Sequence, residues 1–406
     1  MSNPLIDGLL MLSFEAETAP DAVLAMVRGR DISGFTLFRH LNFRSPQQVR
    51  TLTEALQRQR GDRPPLLIAA DQETGQLMAM GEPLTPFPGT MALGAVGDPD
   101  LTRRVGAAIG TELRAIGINV NYAPVCDLNT NPDNPSLGIR SFGDDPATVA
   151  VHAAALIEGI QAAGVAATMK HFPGKGHAET DSHHALPVLR HDRERLDAIE
   201  LVPFDAAIGA GVRLAMTGHF ALPALTGTSD LPCTLAPEAL KSLLREELGF
   251  NGVVITDALD MQALAQGTSQ IVEVIAAVRA GVDLLLLTTA AGMQERIGKG
   301  LRLALSRRLI DPVDLAASHE RVRQLRVWLA GFPTPDLSVV GSPEHRALAA
   351  EVATRSTTLV RDQANLLPLR PNPDDRILVV QPEPTDLTPA DTSSFEPARL
   401  ADAVAT

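Results

Sequence analysis

Eight short runs of mainly aliphatic and β-branched residues recur along the chain, and helical stretches separate them. This alternation predicts a parallel sheet built from βα units, and runs that are apolar almost throughout are typical of strands buried on both faces. Eight such units predict an α/β fold, a (β/α)8 barrel of the TIM type, with a doubly wound sheet as the alternative. The runs span residues 8–14, 34–38, 65–71, 118–125, 165–172, 213–220, 252–258 and 282–289.

Polar side chains lie at or just beyond the C-terminal ends of five of these runs. They are Asp71, Asp127, Lys170, His171, His219 and Asp257. A (β/α)8 barrel gathers its catalytic groups at the C-terminal ends of its strands. This placement therefore favours the barrel over the doubly wound sheet.

Composition and charge exclude several classes of partner. The net charge of −13 repels a polyanion, and aromatic residues make up only 3% of the chain, so we expect no nucleic acid partner. No apolar run is long enough to span a bilayer, and the N-terminus lacks the basic segment of a signal peptide. We therefore expect a cytoplasmic protein without a membrane partner. The two cysteines, Cys126 and Cys233, predict neither a disulfide framework nor a zinc site.

The segment 170–187, KHFPGKGHAETDSHHALP, holds the densest cluster of chemically active side chains. It starts at a strand end, and its prolines and glycines indicate a loop over the end of the barrel. Its histidines and carboxylates could form a metal site, although the helical HExxH spacing is missing. They could instead form a proton-transfer pair in which Asp181 orients His183, or the histidines could merely cap loops and helices. Four histidines so close together at a strand end favour a functional role over capping, and the missing spacing disfavours the metal site. We therefore expect a proton-transfer pair and neither metal nor cofactor.

The same segment resembles the KHFPGHG…DSH signature of glycoside hydrolase family 3, in its β-N-acetylglucosaminidase branch. The resemblance implies that Asp181 and His183 form the acid/base pair of the enzyme and that Lys170 and His171 bind the sugar. GVVITDALDM resembles the nucleophile strand of the family. Asp257 is then the residue that attacks the anomeric carbon.

Two further segments support this resemblance, which covers about residues 1–335. AADQETG resembles the DQEGG segment and LGIRSFGDDP the RSFG segment, which implies that Asp71 and Arg140 contact the sugar. The chain departs from the family pattern at two places near these motifs. Lys175 stands where the signature has histidine, and Thr74 stands where DQEGG has glycine. These departures affect the contacts beyond the N-acetylglucosamine ring.

The resemblance implies a retaining β-N-acetylhexosaminidase that removes terminal β-linked N-acetylglucosamine from small carbohydrates, namely N-acetylglucosaminides and the muropeptides of peptidoglycan recycling. Such a bond breaks through an oxocarbenium-like transition state, which needs a proton on the leaving oxygen and negative charge at the anomeric carbon. Three alternatives stay open: a phosphorylase of the same family, a metal-dependent barrel hydrolase, and a catalytically silent sugar-binding homologue.

The C-terminal part of the chain differs from the repeating units before it. A proline-rich stretch, FPTPDLSVVGSPEH, predicts a linker near residue 333. We therefore divide the chain into a barrel over 1–335 and, over 336–406, a linker with a helix at 344–360 and a strand at 376–382. This tail resembles the start of an αβα sandwich domain in truncated or degenerate form. The sequence leaves open whether the protein is a monomer or a homodimer.

Overall fold

The structure is a computed structural model that describes residues 3–289, 292–372, 376–380, 392–395 and 400. The first seven of its eight main parallel strands pair in chain order, and the eighth pairs with the first. A parallel bridge between Ile255 and Leu284 completes a nearly closed barrel. The strands are β1 (Leu10–Leu12), β2 (Gly34–Thr36), β3 (Leu67–Ala70), β4 (Val120–Asn121), β5 (Ala166–Phe172), β6 (Leu214–Thr217), β7 (Val253–Thr256) and β8 (Leu285–Leu286).

The predicted (β/α)8 barrel is confirmed, and the doubly wound alternative is wrong. Every strand lies within one of the predicted runs, but the strands are shorter than the runs. The run 118–125 contributes only Val120–Asn121, since Pro124 near its end has no N–H to donate to the neighbouring strand. Several runs continue past their strands to the C-terminal end of the barrel, which we call the mouth. Asp71 and Asp257 lie on such continuations.

Side chains along the strands alternate between the barrel interior and the layer beneath the helices. In β3, Leu67 and Ala69 belong to the interior cluster, whereas Ile68 and Ala70 pack in the outer layer. This alternation with a period of two residues explains why the runs are apolar throughout, because both faces of each strand are buried.

The N-terminal end of the barrel is closed by the helix Pro312–Ala330. Its Leu325 and Leu329 belong to the interior cluster, and Arg326 donates a hydrogen bond of 2.8 Å to the Pro65 carbonyl oxygen, just before β3. Because this end is filled, only the mouth can admit a ligand to the ends of the strands.

Five of the longer helices begin at a serine or an aspartate followed by proline. The side chain before the proline accepts a hydrogen bond from the first turn at Ser45, Asp98, Asp145, Asp311 and Ser342. Proline fits this first position because its missing N–H would have no partner within the helix. The α-helices are Pro4–Asp7, Asp21–Gly29, Arg39–Asn42, Pro46–Arg58, Thr90–Val96, Pro99–Ala115, Pro146–Ala162, Arg193–Arg195, Val202–Gly209, Pro223–Thr226, Gln270–Ala280, Met293–Ser306, Pro312–Ala330 and Pro343–Ser356; Leu196–Glu200 and Glu238–Glu247 are π-helical, and Gly138–Arg140, Cys233–Leu235, Leu337–Val339 and Ser393–Phe395 are short 3-10 turns. Within the described ranges, no helix is long and apolar enough to cross a membrane.

The tail differs in part from its prediction. The predicted helix exists as Pro343–Ser356, and its Leu348 and Val352 pack into the same core as the barrel. The predicted strand over 376–382 is wrong for residues 376–380, which pair with no strand and leave Leu378 85% exposed. An apolar run forms a stable strand only beside another strand, and the described residues offer no such strand here. Residues 381–382 lie outside the described residues, and the division at 335 stays a prediction.

The buried Glu112 joins the barrel to the tail helix. Its carboxylate accepts hydrogen bonds from the backbone and hydroxyl of Thr85 (2.8 and 2.6 Å), from the Gly341 backbone (3.0 Å), and from His345 Nδ1 (2.7 Å).

We predict that Glu112→Ala lowers the free energy of unfolding by about 3 kcal/mol, because buried donors lose a charged acceptor. Urea unfolding measures the change. Glu344→Ala, at an exposed position of the tail helix, is the control, and equal stability of the two variants would contradict the prediction.

Candidate active site

Strand ends bring carboxylates, lysines and histidines together at the mouth. Asp71 follows β3 directly, Asp257 follows β7 directly, and Lys170 and His171 lie within the last residues of β5. Because the strands are parallel and in register around the barrel, these ends meet at one rim. All seven site residues predicted from the sequence lie at this mouth or in the loops that cover it. Their chemical roles stay predictions.

Glu73 is the centre of an ion network on one side of the mouth. It lies in a short hairpin after β3 (Gln72–Thr74 and Leu77–Met78). Arg140 donates two hydrogen bonds of 2.8 Å to its two carboxylate oxygens, and Lys170 contacts both Glu73 and, at 2.7 Å, Asp71. Burial would raise the pKa of Glu73, but Arg140 and Lys170 outweigh it and hold the pKa far below its usual value.

This network defines what Arg140 and Lys170 can offer a ligand. A third hydrogen bond, of 2.7 Å, joins Arg140 Nη1 to the Ser136 carbonyl oxygen, so the guanidinium is largely occupied by the protein. Lys170 is fully buried between two carboxylates. The pKa of Asp71 is raised by burial, against the opposing effect of Lys170. Asp71 is also the more exposed of the two carboxylates that contact Lys170, which leaves it open to a sugar hydroxyl.

Asp127, at the end of β4, fixes the His171 ring. One carboxylate oxygen lies 2.7 Å from His171 Nδ1, and the other accepts the Lys175 backbone N–H at 2.8 Å. The opposite ring nitrogen, Nε2, lies 3.9 Å from the Asp257 carboxylate. Burial, together with the positive charge of Lys175, lowers the pKa of His171 well below its usual value. The contact with Asp127 holds the ring in one orientation.

Asp257 is partly buried, and its carboxyl group is ionised. Its Oδ1 accepts the Ala258 backbone N–H at 2.8 Å. Burial would raise the pKa of the carboxyl group, but His171 and Lys175, with smaller contributions from His219 and His183, hold it far below the usual value. His219 bonds through Nδ1 to Thr234 (2.8 Å) and through Nε2 to the Ala258 carbonyl oxygen (3.2 Å). It thus braces the backbone beside Asp257.

The loop after β5 brings His183 over the mouth. Asp181 accepts hydrogen bonds from the backbone N–H (2.9 Å) and the ring Nδ1 (2.7 Å) of His183. Burial alone would raise the pKa of Asp181, but these hydrogen bonds lower it to about 2. The loop is joined to the segment after Asp257 by backbone hydrogen bonds from Gln262 to His183 (3.4 Å) and from Ala263 to Ser182 (3.1 Å). The structure therefore brings the aspartate–histidine pair and Asp257 to the same mouth.

The other histidines of the loop do not join this pair. His177 faces Thr130 (3.2 Å) and the ring of His191 (5.0 Å between centroids), and His184 is exposed. In the described part of the chain, no group of three or more histidine, cysteine or carboxylate side chains is arranged to hold a metal ion. The metal-site interpretation therefore has no ligand set there.

Sequence reasoning did not assign three residues that the structure places in the site: Glu73, Asp127 and Lys175. Glu73 and Asp127 are second-tier candidates from the sequence, as carboxylates at or near strand ends, without a catalytic role assigned to them. The ion pair between Glu73 and Arg140 spans 67 residues of sequence, so no local spacing reveals it. Thr74, the departure in the DQETG segment, has a φ of +80°, where glycine is the unstrained residue.

A (β/α)8 barrel that gathers carboxylates, lysines and histidines at the C-terminal ends of its strands has the architecture of the barrel enzymes. The chain belongs to glycosyl hydrolase family 3: the sequence model of the family's N-terminal domain matches residues 6–325. It is 36% identical over 383 residues to β-hexosaminidase A of Pseudoalteromonas piscicida, covering 87% of this chain and 63% of that protein. The chain thus spans about three fifths of the length of this relative, and it likewise spans 58% of the β-N-acetylglucosaminidase/β-glucosidase of Cellulomonas fimi, to which it is 38% identical over 329 residues and which covers 78% of this chain.

Two solved structures have the same fold. The glycoside hydrolase family 3 β-N-acetylglucosaminidase of Paenibacillus sp. str. FPU-7 superposes with a TM-score of 0.84 at 38% identity, over 90% of this chain and 71% of that one. The β-glucoside phosphorylase BglX, bound to 2FGlc, superposes with a TM-score of 0.81 at 26% identity, over 90% of this chain and 67% of that one.

The depressed pKa of Asp181 links its hydrogen bonds to stability. Its pKa is about 2 in the folded protein and about 3.9 in an unfolded chain, so its contribution of about 2 kcal/mol is complete above pH 4 and is lost as pH falls toward 2. We predict that Asp181→Asn lowers the free energy of unfolding at pH 7 and that the difference from wild type shrinks below pH 4. Urea unfolding across this range tests it, and a difference independent of pH would contradict it.

Proposed function

We propose that the protein is a retaining β-N-acetylhexosaminidase that removes terminal β-linked N-acetylglucosamine. The observation that carries this proposal is the Asp181–His183 pair, joined by backbone hydrogen bonds to the segment that follows the ionised Asp257. A proton donor and a permanent carboxylate at one mouth are the two groups that retaining glycoside cleavage needs. Relatives named β-hexosaminidase and a neighbour named β-N-acetylglucosaminidase support it.

In the first step, the Asp257 carboxylate attacks the anomeric carbon while His183 donates its proton to the leaving oxygen. The bond between the sugar and the leaving oxygen breaks, and an ester forms between the sugar and Asp257. Asp181 stabilises the protonated imidazole and fixes its orientation through the 2.7 Å hydrogen bond to Nδ1. The proton is therefore carried on Nε2, on the side of the ring away from Asp181.

In the second step, neutral His183 accepts a proton from water, and the water oxygen attacks the anomeric carbon. The ester bond breaks, its electron pair returns to Asp257, and the sugar leaves with its original configuration. An imidazole, whose ordinary pKa is about 6.5, can alternate between acid and base near neutral pH. A carboxylate would need its pKa raised by burial to do the same.

The remaining residues at the mouth would hold the sugar ring. Asp71 offers an acceptor and Lys170 a donor to sugar hydroxyls, and charged hydrogen bonds of this kind are stronger than neutral ones. His171 donates to Asp127 through Nδ1, which leaves Nε2 to accept a hydroxyl beside Asp257. Arg140 acts mainly by holding Glu73, which in turn orients Lys170. Orientation of this type contributes much of the rate gain of an enzyme.

The natural substrates in this proposal are N-acetylglucosaminides, among them the muropeptides of cell-wall recycling, and the place of action is the cytoplasm. Both follow from the resemblance of the signature loop to the β-N-acetylglucosaminidase branch of the family. The protein would act as a monomer or a homodimer, without metal or cofactor.

Phosphorolysis is the second candidate reaction, favoured by the structural likeness to a neighbour named β-glucoside phosphorylase. Phosphate would then replace water in the second step and give a sugar 1-phosphate. We expect hydrolysis, with free N-acetylglucosamine as the product in both phosphate and non-phosphate buffer. The β anomer should form first, and proton NMR can follow its appearance. Formation of N-acetylglucosamine 1-phosphate would support phosphorolysis instead.

We predict that Asp257→Ala and His183→Ala lose the turnover of 4-nitrophenyl N-acetyl-β-glucosaminide. Asp257→Ala removes the attacking group, and His183→Ala removes the proton transfer, an effect of about 10²- to 10⁴-fold. His184→Ala changes the exposed neighbouring histidine and is the matched control. If His183→Ala and His184→Ala have equal kcat/KM, the proposal is wrong. A wild-type protein that binds N-acetylglucosamine without turning it over would be a silent homologue.

A further inference from the structure

The hairpin after β3 positions two carboxylates of the mouth. It spans residues 72–78, and we call it the mouth hairpin. Glu73 lies in its first strand and contacts Lys170. Directly after its second strand, the Ala79 N–H donates to the Asp71 carbonyl oxygen at 2.9 Å. A shift of the mouth hairpin would therefore move both carboxylates that contact Lys170.

A residue of the tail, Thr392, binds the second strand of the mouth hairpin. Its hydroxyl accepts the Met78 N–H at 2.8 Å and donates to the Gln76 carbonyl oxygen at 3.1 Å. The Thr392 N–H donates to the same oxygen at 3.3 Å. The residue is only 6% exposed, so water competes little for these three bonds. A single buried hydroxyl thus joins segments that lie 314 residues apart.

Residues 392–395 form a turn, the tail turn, that reaches the mouth hairpin at a second point. The Phe395 N–H donates to the Thr392 carbonyl oxygen at 3.0 Å and closes the turn. The Arg39 guanidinium lies 4.7 Å from the centre of the Phe395 ring, and its Nη1 donates to the Met78 carbonyl oxygen at 3.5 Å. The tail turn therefore acts on both backbone groups of Met78, on one directly and on the other through Arg39.

The barrel holds the other strand of the mouth hairpin. The Asn121 side chain, at the end of β4, bonds to the N–H and to the carbonyl oxygen of Gln72, at 3.0 Å each. The Gln72 side chain in turn bonds to the Met80 backbone at 3.1 and 2.8 Å. Because the two strands have separate anchors, loss of the Thr392 hydroxyl would loosen the second strand and leave the barrel folded.

We propose that Thr392 is a positioning residue for the sugar site, because it fixes the hairpin that carries Glu73 and supports Asp71. This inference rests on the proposed function, in which Asp71 holds a sugar hydroxyl and Glu73 orients the lysine beside it. The groups that break the bond lie elsewhere, since Asp257 follows β7 and His183 lies in the loop after β5. Thr392 should therefore affect sugar binding more than bond cleavage.

The test compares Thr392→Val, which keeps the shape of the side chain but lacks the hydroxyl, with Thr392→Ser and the wild type. With 4-nitrophenyl N-acetyl-β-glucosaminide, we expect KM of Thr392→Val to rise about tenfold, as for roughly one lost hydrogen bond to a charged group, and kcat to stay within about twofold. A loss of binding that is equal in ground state and transition state has this signature. Thr392→Ser should keep the wild-type KM. Thr358→Val, at an exposed threonine of the tail, is the matched control.

A second variant, Phe395→Leu, tests the contact through Arg39. Phe395 is 46% exposed, so its replacement leaves no buried cavity and the protein should fold normally. We expect KM to rise about threefold, the smaller effect of an exposed cation–π contact. The change should have the same sign as that of Thr392→Val, with kcat again nearly constant.

Hydrogen exchange gives a readout that does not depend on turnover. The Met78 N–H donates to the Thr392 hydroxyl, so Thr392→Val should speed exchange of this amide about tenfold. Peptides from the helix Pro146–Ala162 should exchange as in the wild type, and Thr392→Ser should leave the Met78 amide unchanged. A variant that merely unfolds more easily would instead exchange faster in both regions.

An unchanged KM or an unchanged exchange at Met78 in Thr392→Val would overturn this inference. A fall in kcat at unchanged KM would overturn it as well, and so would equal effects of Thr392→Val and Thr392→Ser, because the hydroxyl would then have no part.

Failure of the proposed function looks different, because the wild type itself would not turn over the substrate. Calorimetric titration with N-acetylglucosamine then takes the place of KM. A Kd about tenfold weaker in Thr392→Val would still support the positioning function of Thr392, and an unchanged Kd would overturn it.

Discussion

Keeping several buried carboxylates ionised at one barrel mouth is the constraint on which the rest of the site depends. Burial alone would raise the pKa of both Asp257 and Glu73, and neighbouring cations and histidines reverse that tendency. Asp127 contacts two groups at once, because it accepts the backbone N–H of Lys175 in the loop after β5 and also holds the His171 ring. The position of the loop and the electrostatics of the mouth are therefore set by the same few groups.

The barrel itself could be predicted from the sequence because its two signals are local. Each strand appears as an apolar run, and polar side chains follow the strand ends, so the site residues Asp71, Lys170 and Asp257 were visible without coordinates. The strand predicted at 376–382 was wrong for its described residues because an apolar run specifies a strand only where another strand can pair with it. Nothing in the local sequence reports whether such a partner exists.

The parts of the site that the sequence could not supply are pairings between distant segments. Glu73 lies in a hairpin, and its partner Arg140 lies in a short 3-10 turn far along the chain. Lys175 was recognisable as a departure from the family signature, yet only the structure shows that its backbone N–H donates to Asp127. Thr74 likewise has a left-handed backbone conformation that its residue type does not predict.

The central claim is that His183 and Asp257 act on one sugar from the two sides of its anomeric carbon. The most direct measurement is a crystal structure of the protein after reaction with a fluorinated N-acetylglucosamine substrate that traps the intermediate. The account predicts a covalent bond from the anomeric carbon to the Asp257 carboxylate, with His183 Nε2 within about 3.5 Å of a water or hydroxyl on the opposite face. A sugar bound elsewhere, or joined to another residue, would contradict it.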